Sequence, residues 1–170
     1  PERCAQALRR ALQGEKFPET LAAAWARPAG QVLVFGAARG GTGCTTLATN
    51  TAIALRRQTS QPTVLIDANY AAPAVDVALN VSDGRTIADL LPRLSRMDEE
   101  LIRGMLTPHA SDVHVLLAPP PGSLTHPISR TQVQEIVDTL RRSFTWVIVD
   151  LGLPLDETAD AFLDVADRLI

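Results

Sequence analysis

A loop of small residues constrains this chain more than any other feature. Ala38-Arg-Gly-Gly-Thr-Gly-Cys-Thr-Thr46 joins an apolar run, Gln31-Val-Leu-Val-Phe-Gly36, to a stretch of helical spacing from about Cys44 to Arg57, where Leu47, Ala48, Ala52 and Leu55 share one face. A short apolar run closed by glycine reads as a buried strand. Three glycines let the backbone curl so that several N–H groups converge, and the following helix adds roughly half a positive charge at its start. Strand, curled loop and helix N-terminus in that order favour a bound phosphate. Taken alone, the loop is also compatible with a tight strand-to-helix turn. Gly41-Thr-Gly43 could equally open a dinucleotide fingerprint, with Thr46 in place of its third glycine.

The rest of the chain narrows these options. Thr63–Asp67, Val113–Ala118 and Thr145–Asp150 are further strand candidates, and Arg168-Leu-Ile170 reads as the opening of another. Thr86-Ile-Ala-Asp89 and Ser129-Arg-Thr-Gln132 are capping boxes that start helices, the second running to about Arg142. Helices are also expected from Asp98 to Leu106 and from Asp156 to Ala166. Alternating strands and helices predict an α/β fold with a mostly parallel, twisted sheet covered by helices on both faces. Residues 1–30 read as a helical extension or the tail of a preceding domain, and 31–170 as the α/β domain, expected to continue beyond Ile170.

Composition sets the class. The 170 residues are 46% hydrophobic and 21% charged, as in an ordinary globular domain, but only 4% are aromatic, so Leu, Val, Ile and Ala must fill the core. A net charge of −3 argues against nucleic acid and against direct membrane binding. Two cysteines give no disulfide framework, and no signal peptide or membrane-length apolar run is visible, so the cytoplasm is the expected location. Lys16 is the single lysine against fifteen arginines.

Ligands of parallel α/β sheets sit beyond the carboxyl ends of the strands, where the loop, Asp67 and Asp150 converge. The P-loop pattern is G-x-x-x-x-G-K-[ST], and Cys44 stands at its lysine. Thr45 is placed to ligate Mg²⁺ and Thr46 to reach a phosphate oxygen. Arg39-Gly-Gly-Thr-Gly-Cys-Thr-Thr46 resembles the deviant Walker A motif, K-G-G-x-G-K-T-T, of the MinD/ParA ATPases. Val64-Leu-Ile-Asp67-Ala-Asn69 resembles their D-x-D motif, and Val147-Ile-Val-Asp150 their Walker B strand. The likeness runs from about Gln31 to Ile170. Asp76-Val-Ala-Leu79, Ile87-Ala-Asp-Leu-Leu91, Leu116-Leu-Ala-Pro119 and Ala166-Asp167 are similar to the CpaE/TadZ branch, which serves Tad-type pilus assembly.

That resemblance implies a P-loop NTPase-like fold that binds ATP or ADP through Arg39, Gly40, Gly41, Thr42, Gly43, Cys44, Thr45 and Thr46. It implies Mg²⁺ near Thr45, Asp67 and Asp150, held partly through water. It also implies a homodimer through the nucleotide face, with Arg39 contacting the partner's phosphates. Pilus or secretion assembly proteins would be the further partners, recruiting the chain to the cell pole or inner membrane. Cys44 and Asn69 depart from the family on its hydrolytic machinery. An amide orients water but takes no proton, so weak or absent hydrolysis is expected. An active ParA-like partitioning ATPase and a nucleotide-free scaffold are the alternatives. Cys44, at a helix start beside Arg39, is expected to be the more reactive thiol of the two.

Overall fold

In the computed structural model the described residues are 30–81, 84–96, 98–152 and 156–170; Cys4 and all but the last residue of the expected N-terminal extension, 1–30, lie outside them. Strand β1 (Gln31–Gly36) leads through the glycine loop to α1 (Cys44–Thr59), and β2 (Thr63–Asp67) to α2 (Val75–Leu79). Then come α3 (Ile87–Leu90), a 3₁₀ turn (Leu91–Arg96), α4 (Glu99–Met105), β3 (Thr107–Pro108) and β4 (His114–Leu116). The chain closes with α5 (Arg130–Ser143), β5 (Trp146–Gly152), α6 (Glu157–Asp164) and β6 (Arg168–Leu169). The sheet order is β3-β4-β2-β5-β1-β6, parallel throughout except where β3 meets β4.

Side-chain alternation divides the core in two. Val32, Val34, Val64, Ile66, Val147 and Val149 face α3, α4, α5 and α6 on one side. Leu33, Phe35, Leu65 and Ile148 face α1 and α2 on the other. Both faces are therefore buried, which is why the strands read as unbroken apolar runs. Fully buried side chains such as Phe162 and Ile136 each contribute about 1.5–3 kcal/mol.

The helix starts follow the local sequence. Ser129 Oγ accepts the Gln132 N–H at 3.3 Å while Gln132 Oε1 accepts the Ser129 N–H at 2.9 Å, the reciprocal box that opens α5. Asp89 turns back to accept both the N–H and the hydroxyl of Thr86. Asp98 and Asp156 cap α4 and α6 through Leu101 N–H and Ala159 N–H. Each cap contributes about 1 kcal/mol.

At the far edge, Asp167 Oδ2 accepts the Val32 N–H at 2.8 Å and pairs with Arg141 at 3.1 Å, while Arg141 also donates to the Val165 carbonyl. This clamp ties β6 to β1 and α5. Gly30 enters β1 so close to the end of α5 that a Cβ there would stand 1.9 Å from the Phe144 carbonyl oxygen.

Three features depart from the sequence reading. β4 is shorter than Val113–Ala118, with Leu117 reduced to a single bridge to Thr86. β3 is a two-residue edge strand carrying Pro108, a residue strands tolerate at an edge. α2 has no side-chain cap of its own. Asp67 Oδ2 accepts the Val75 N–H at 3.1 Å instead, so the helix start is fixed from the previous strand and carries no local signal.

Candidate functional site

β1, β2 and β5 are neighbours in the sheet, so the loop after β1 and the carboxylates ending β2 and β5 meet at one edge. Asp67 and Asp150 are directly paired across β2 and β5. Residues 39–46, with Ala37, Asn69, Ala72 and Gly152, enclose a cavity of about 450 Å³, within the size range of small-molecule sites. Gly41 and Gly43 hold φ of 77° and 85°, a left-handed backbone that strongly favours glycine. Gly43 is the N-cap of α1 and offers no side-chain acceptor. The first N–H groups of α1 therefore lack an intrahelical partner and border the cavity, which suits an anion. Thr42 steadies the curl by donating its hydroxyl to the Arg39 carbonyl at 3.2 Å. Arg39 lines the cavity, is exposed, and has no carboxylate partner among the described residues.

Beneath the loop lies Asp150, fully buried. Its Oδ1 accepts the Cys44 thiol at 3.4 Å, and the nearby Thr45 hydroxyl also favours the charged carboxylate. Its Oδ2 is buried with no hydrogen-bond donor. Burial raises the Asp150 carboxyl above its ordinary range, against the pull of those two donors. An unpartnered carboxylate oxygen beside a threonine hydroxyl fits the outer shell of a hydrated Mg²⁺. Among the described residues no group of three or more His, Cys, Asp or Glu forms a metal cage. Mg²⁺ suits such a place, because it keeps several waters and relies on one or two carboxylates plus ligand phosphates. Bound there with a nucleotide, it would neutralise phosphate charge; Thr45 and Asp150 are the residues that would hold it.

Asp67 has another duty. Its Oδ1 accepts the Asn69 N–H at 3.0 Å, and its Oδ2 accepts those of Ala74 and Val75 at 3.2 and 3.1 Å. It organises segment 68–75 and, like Asp150, is not among the residues that line the cavity. Burial pushes its carboxyl up to about 6, with the Asp150 charge adding to the shift and the three N–H bonds opposing it. Asn69 does reach the cavity, and its Oδ1 accepts the Ala72 N–H at 3.2 Å.

The lowered thiol pKa expected of Cys44 is not found, while Cys4, the other half of that comparison, lies outside the described residues. Burial, the Asp150 charge and the hydrogen bond to Asp150 push the thiol up to about 11, and the opposing Gly152 N–H is a smaller effect. The sequence suggested a helix start beside Arg39; the fold adds a buried carboxylate under the sulfur, and desolvation with like-charge repulsion outweighs the dipole.

Sequence reasoning missed Gly152 and Ala72. Gly152 has φ 61°, and a Cβ on it would stand 2.1 Å from Asn69 Cγ. A glycine two residues beyond a strand-end aspartate was the available signal. Other arginines are engaged away from the cavity: Arg56 with Asp112 at 3.4 Å, Arg141 with Asp167, and Arg142 with Thr139. A cleft of about 270 Å³ at the opposite edge is bordered by Arg56, Arg103 and His114, but Arg103 lies over the Phe144 ring, and no loop of free N–H groups is there. Among the described residues no helix is long and apolar enough to cross a membrane.

No family model and no curated protein matches the sequence. Solved structures do match. A ParA family ATPase from Chlorobium tepidum TLS superposes with TM-score 0.75 at 22% identity, covering 82% of this chain and 58% of its own. The septum site-determining protein MinD complexed with Mg-ADP from Pyrococcus horikoshii OT3 gives 0.67 at 17%, covering 82% and 56%. The kinase domain of VpsO gives 0.68 at 18%, covering 99% and 80%. The chain spans less than three-fifths of the length of the ParA and MinD structures. These likenesses establish the P-loop NTPase fold expected from the motifs, and the kinase among them is a reminder that fold and function are separate questions.

Proposed function

We propose that this chain binds ATP or ADP with Mg²⁺ in the cavity of residues 39–46, as a MinD/ParA-like protein with weak or no hydrolysis. The observation that carries the reading is one arrangement: a curled loop with free helix N–H groups stands over a buried carboxylate oxygen that lacks a donor. The MinD relative of the same fold holds Mg-ADP. Cys44 supplies no positive charge to the phosphates, and Asn69 supplies no base, so binding outlasts turnover in this reading. Arg39, exposed and uncommitted at the rim, supports a homodimer through the nucleotide face. The motif likeness to CpaE/TadZ points the whole protein toward placing or assembling a Tad-type pilus or secretion apparatus, with the assembly proteins recruiting it to the pole or inner membrane.

The test is a melting curve with and without MgATP and MgADP. Ligand at ~100 times its Kd stabilises by about 2.7 kcal/mol, which for a domain of this size raises Tm by about 5–10 °C. A flat response to millimolar nucleotide, in this chain and in one extended past Ile170, would replace the reading with a nucleotide-free scaffold.

A further inference from the structure

The cleft bordered by Arg56, Arg103 and His114 has a chemistry separate from that of the glycine loop. We propose that it binds a small tetrahedral oxyanion, phosphate or the phosphoryl group of a small monoester, through Arg56, Arg103 and His109.

The cleft lies at the amino ends of the strands. His114 opens β4, Pro62 precedes β2 and Phe144 precedes β5, whereas Asp67 and Asp150 stand toward the other ends of β2 and β5. The last turn of α1, helix α4 and the turn between β3 and β4 supply Arg56, Arg103 and His109. A volume of about 270 Å³ falls just below the range of drug-sized sites, which suits a small ligand.

Each of the three side chains keeps donors that the fold does not use. Arg103 is exposed, and its guanidinium meets no acceptor among the described residues, only the Phe144 ring at 5.7 Å. Arg56 donates from Nε to the Asp112 carbonyl at 3.3 Å and from Nη2 to the Asp112 carboxylate at 3.4 Å, and its Nη1 has no partner among the described residues. His109 Nδ1 accepts the Ser111 N–H at 3.2 Å, so the neutral ring carries its proton on Nε2 and can donate it.

Charge favours such a ligand. Asp112 is the one carboxylate among the described lining residues, and its side chain is 78% exposed. His114, half-buried among these groups, registers the arginines. Burial first, and then the Arg103 and Arg56 charges, hold its imidazole below the ordinary range, with Asp112 opposing. An anion here would offset the guanidinium charges and lift His114 back toward that range. One guanidinium fork satisfies a planar carboxylate. Donors from three separate elements suit the additional oxygens of a phosphoryl group.

The chain's three histidines make the test. His109 and His114 line the cleft, and His126 is exposed outside it. Inorganic phosphate is titrated into the full chain at neutral pH and constant ionic strength while NMR follows the imidazole signals, assigned by single His→Gln variants. The His109 and His114 signals should move along one saturable millimolar curve while His126 stays still. Phosphate at the glycine loop sits at the other end of the sheet and does not touch these rings. Arg103→Gln should raise the Kd by at least ~10-fold, the loss expected of a hydrogen bond to a charged group. Asp112→Asn, which removes the opposing carboxylate, should lower it. Glycerol phosphate binding more tightly than phosphate assigns the monoester, and weaker binding assigns the free ion. If Arg103→Gln disturbs the packing on Phe144, the direction of the Asp112→Asn change decides alone. No saturable movement of the two rings, equal movement of His126, or an affinity that Asp112→Asn leaves unchanged overturns the proposal.

Discussion

Gly152 and Asn69 offer the sharpest test of how the cavity wall is built. Gly152→Ala adds a Cβ that would stand 2.1 Å from Asn69 Cγ, 2.4 Å from Oδ1 and 2.5 Å from Cβ. The last of these atoms is fixed to the backbone, so rotating Asn69 cannot clear the collision. Forcing an extra carbon into such a space costs about 1–3 kcal/mol. The φ of 61° at Gly152 adds roughly 1–2 kcal/mol for any residue with a Cβ. The expected loss is about 2–5 kcal/mol, or a Tm drop of about 4–20 °C at ~2–4 °C per kcal/mol. Asn69→Gly removes all three colliding atoms. In that background Gly152→Ala should cost only the backbone strain, leaving a coupling of about 1–3 kcal/mol in the double-mutant cycle. Urea unfolding of the four proteins measures it. If Gly152→Ala costs the same in both backgrounds, the side-chain contact does not shape this wall and the reasoning fails.

Three further outcomes follow from the site. Asp67 stands at about 6 in the fold against an ordinary 3.8, so the fold favours its protonated form. The contribution of Asp67 to stability is then fully present below about pH 4 and is lost, by ~3 kcal/mol, as pH rises through 6, with Asp150 shifted the same way; denaturation across pH 4–7 checks it, and Asp67→Asn should flatten the slope. With its thiol at about 11 against an ordinary 9.0, Cys44 should alkylate ~100-fold more slowly than a free cysteine peptide at neutral pH, and mass spectrometry showing equal rates would contradict the buried pair. Steady-state phosphate release should be near background, because one lost electrostatic donor costs about 10²–10³ in rate. Cys44→Lys should mainly tighten nucleotide binding and Asn69→Asp do little alone, leaving only the double variant a route to turnover; robust turnover by the unsubstituted chain, abolished by Asp150→Ala, would install the active-ATPase reading instead.

The sequence made the scaffold legible because both sheet faces are covered. Runs such as Val64-Leu-Ile66 and Val147-Ile-Val149 had to be buried on both sides, and the capping boxes at Thr86 and Ser129 marked helix starts with local chemistry alone. Loop residues 39–46 were legible because glycines at 41 and 43 are needed for left-handed turns. What escaped was chemistry made by distance. α2 begins where Asp67 reaches across eight residues to Val75. Cys44 is quenched by a carboxylate 106 residues away in the chain. Gly152 matters because Asn69 lies on it, and no local pattern records that.

β5 lies inside the sheet with β1 and β2 on either side, so the Gly152 wall of the cavity opens only when the domain does. The facing wall, segment 68–75, hangs largely on one carboxylate, that of Asp67. Amide hydrogens of Val147, Ile148 and Val149 are thus tied to global unfolding, while those of Asn69, Ala74 and Val75 exchange by local opening. The residence time of anything held in the cavity is then set by the breathing of a short loop rather than by the durability of the sheet.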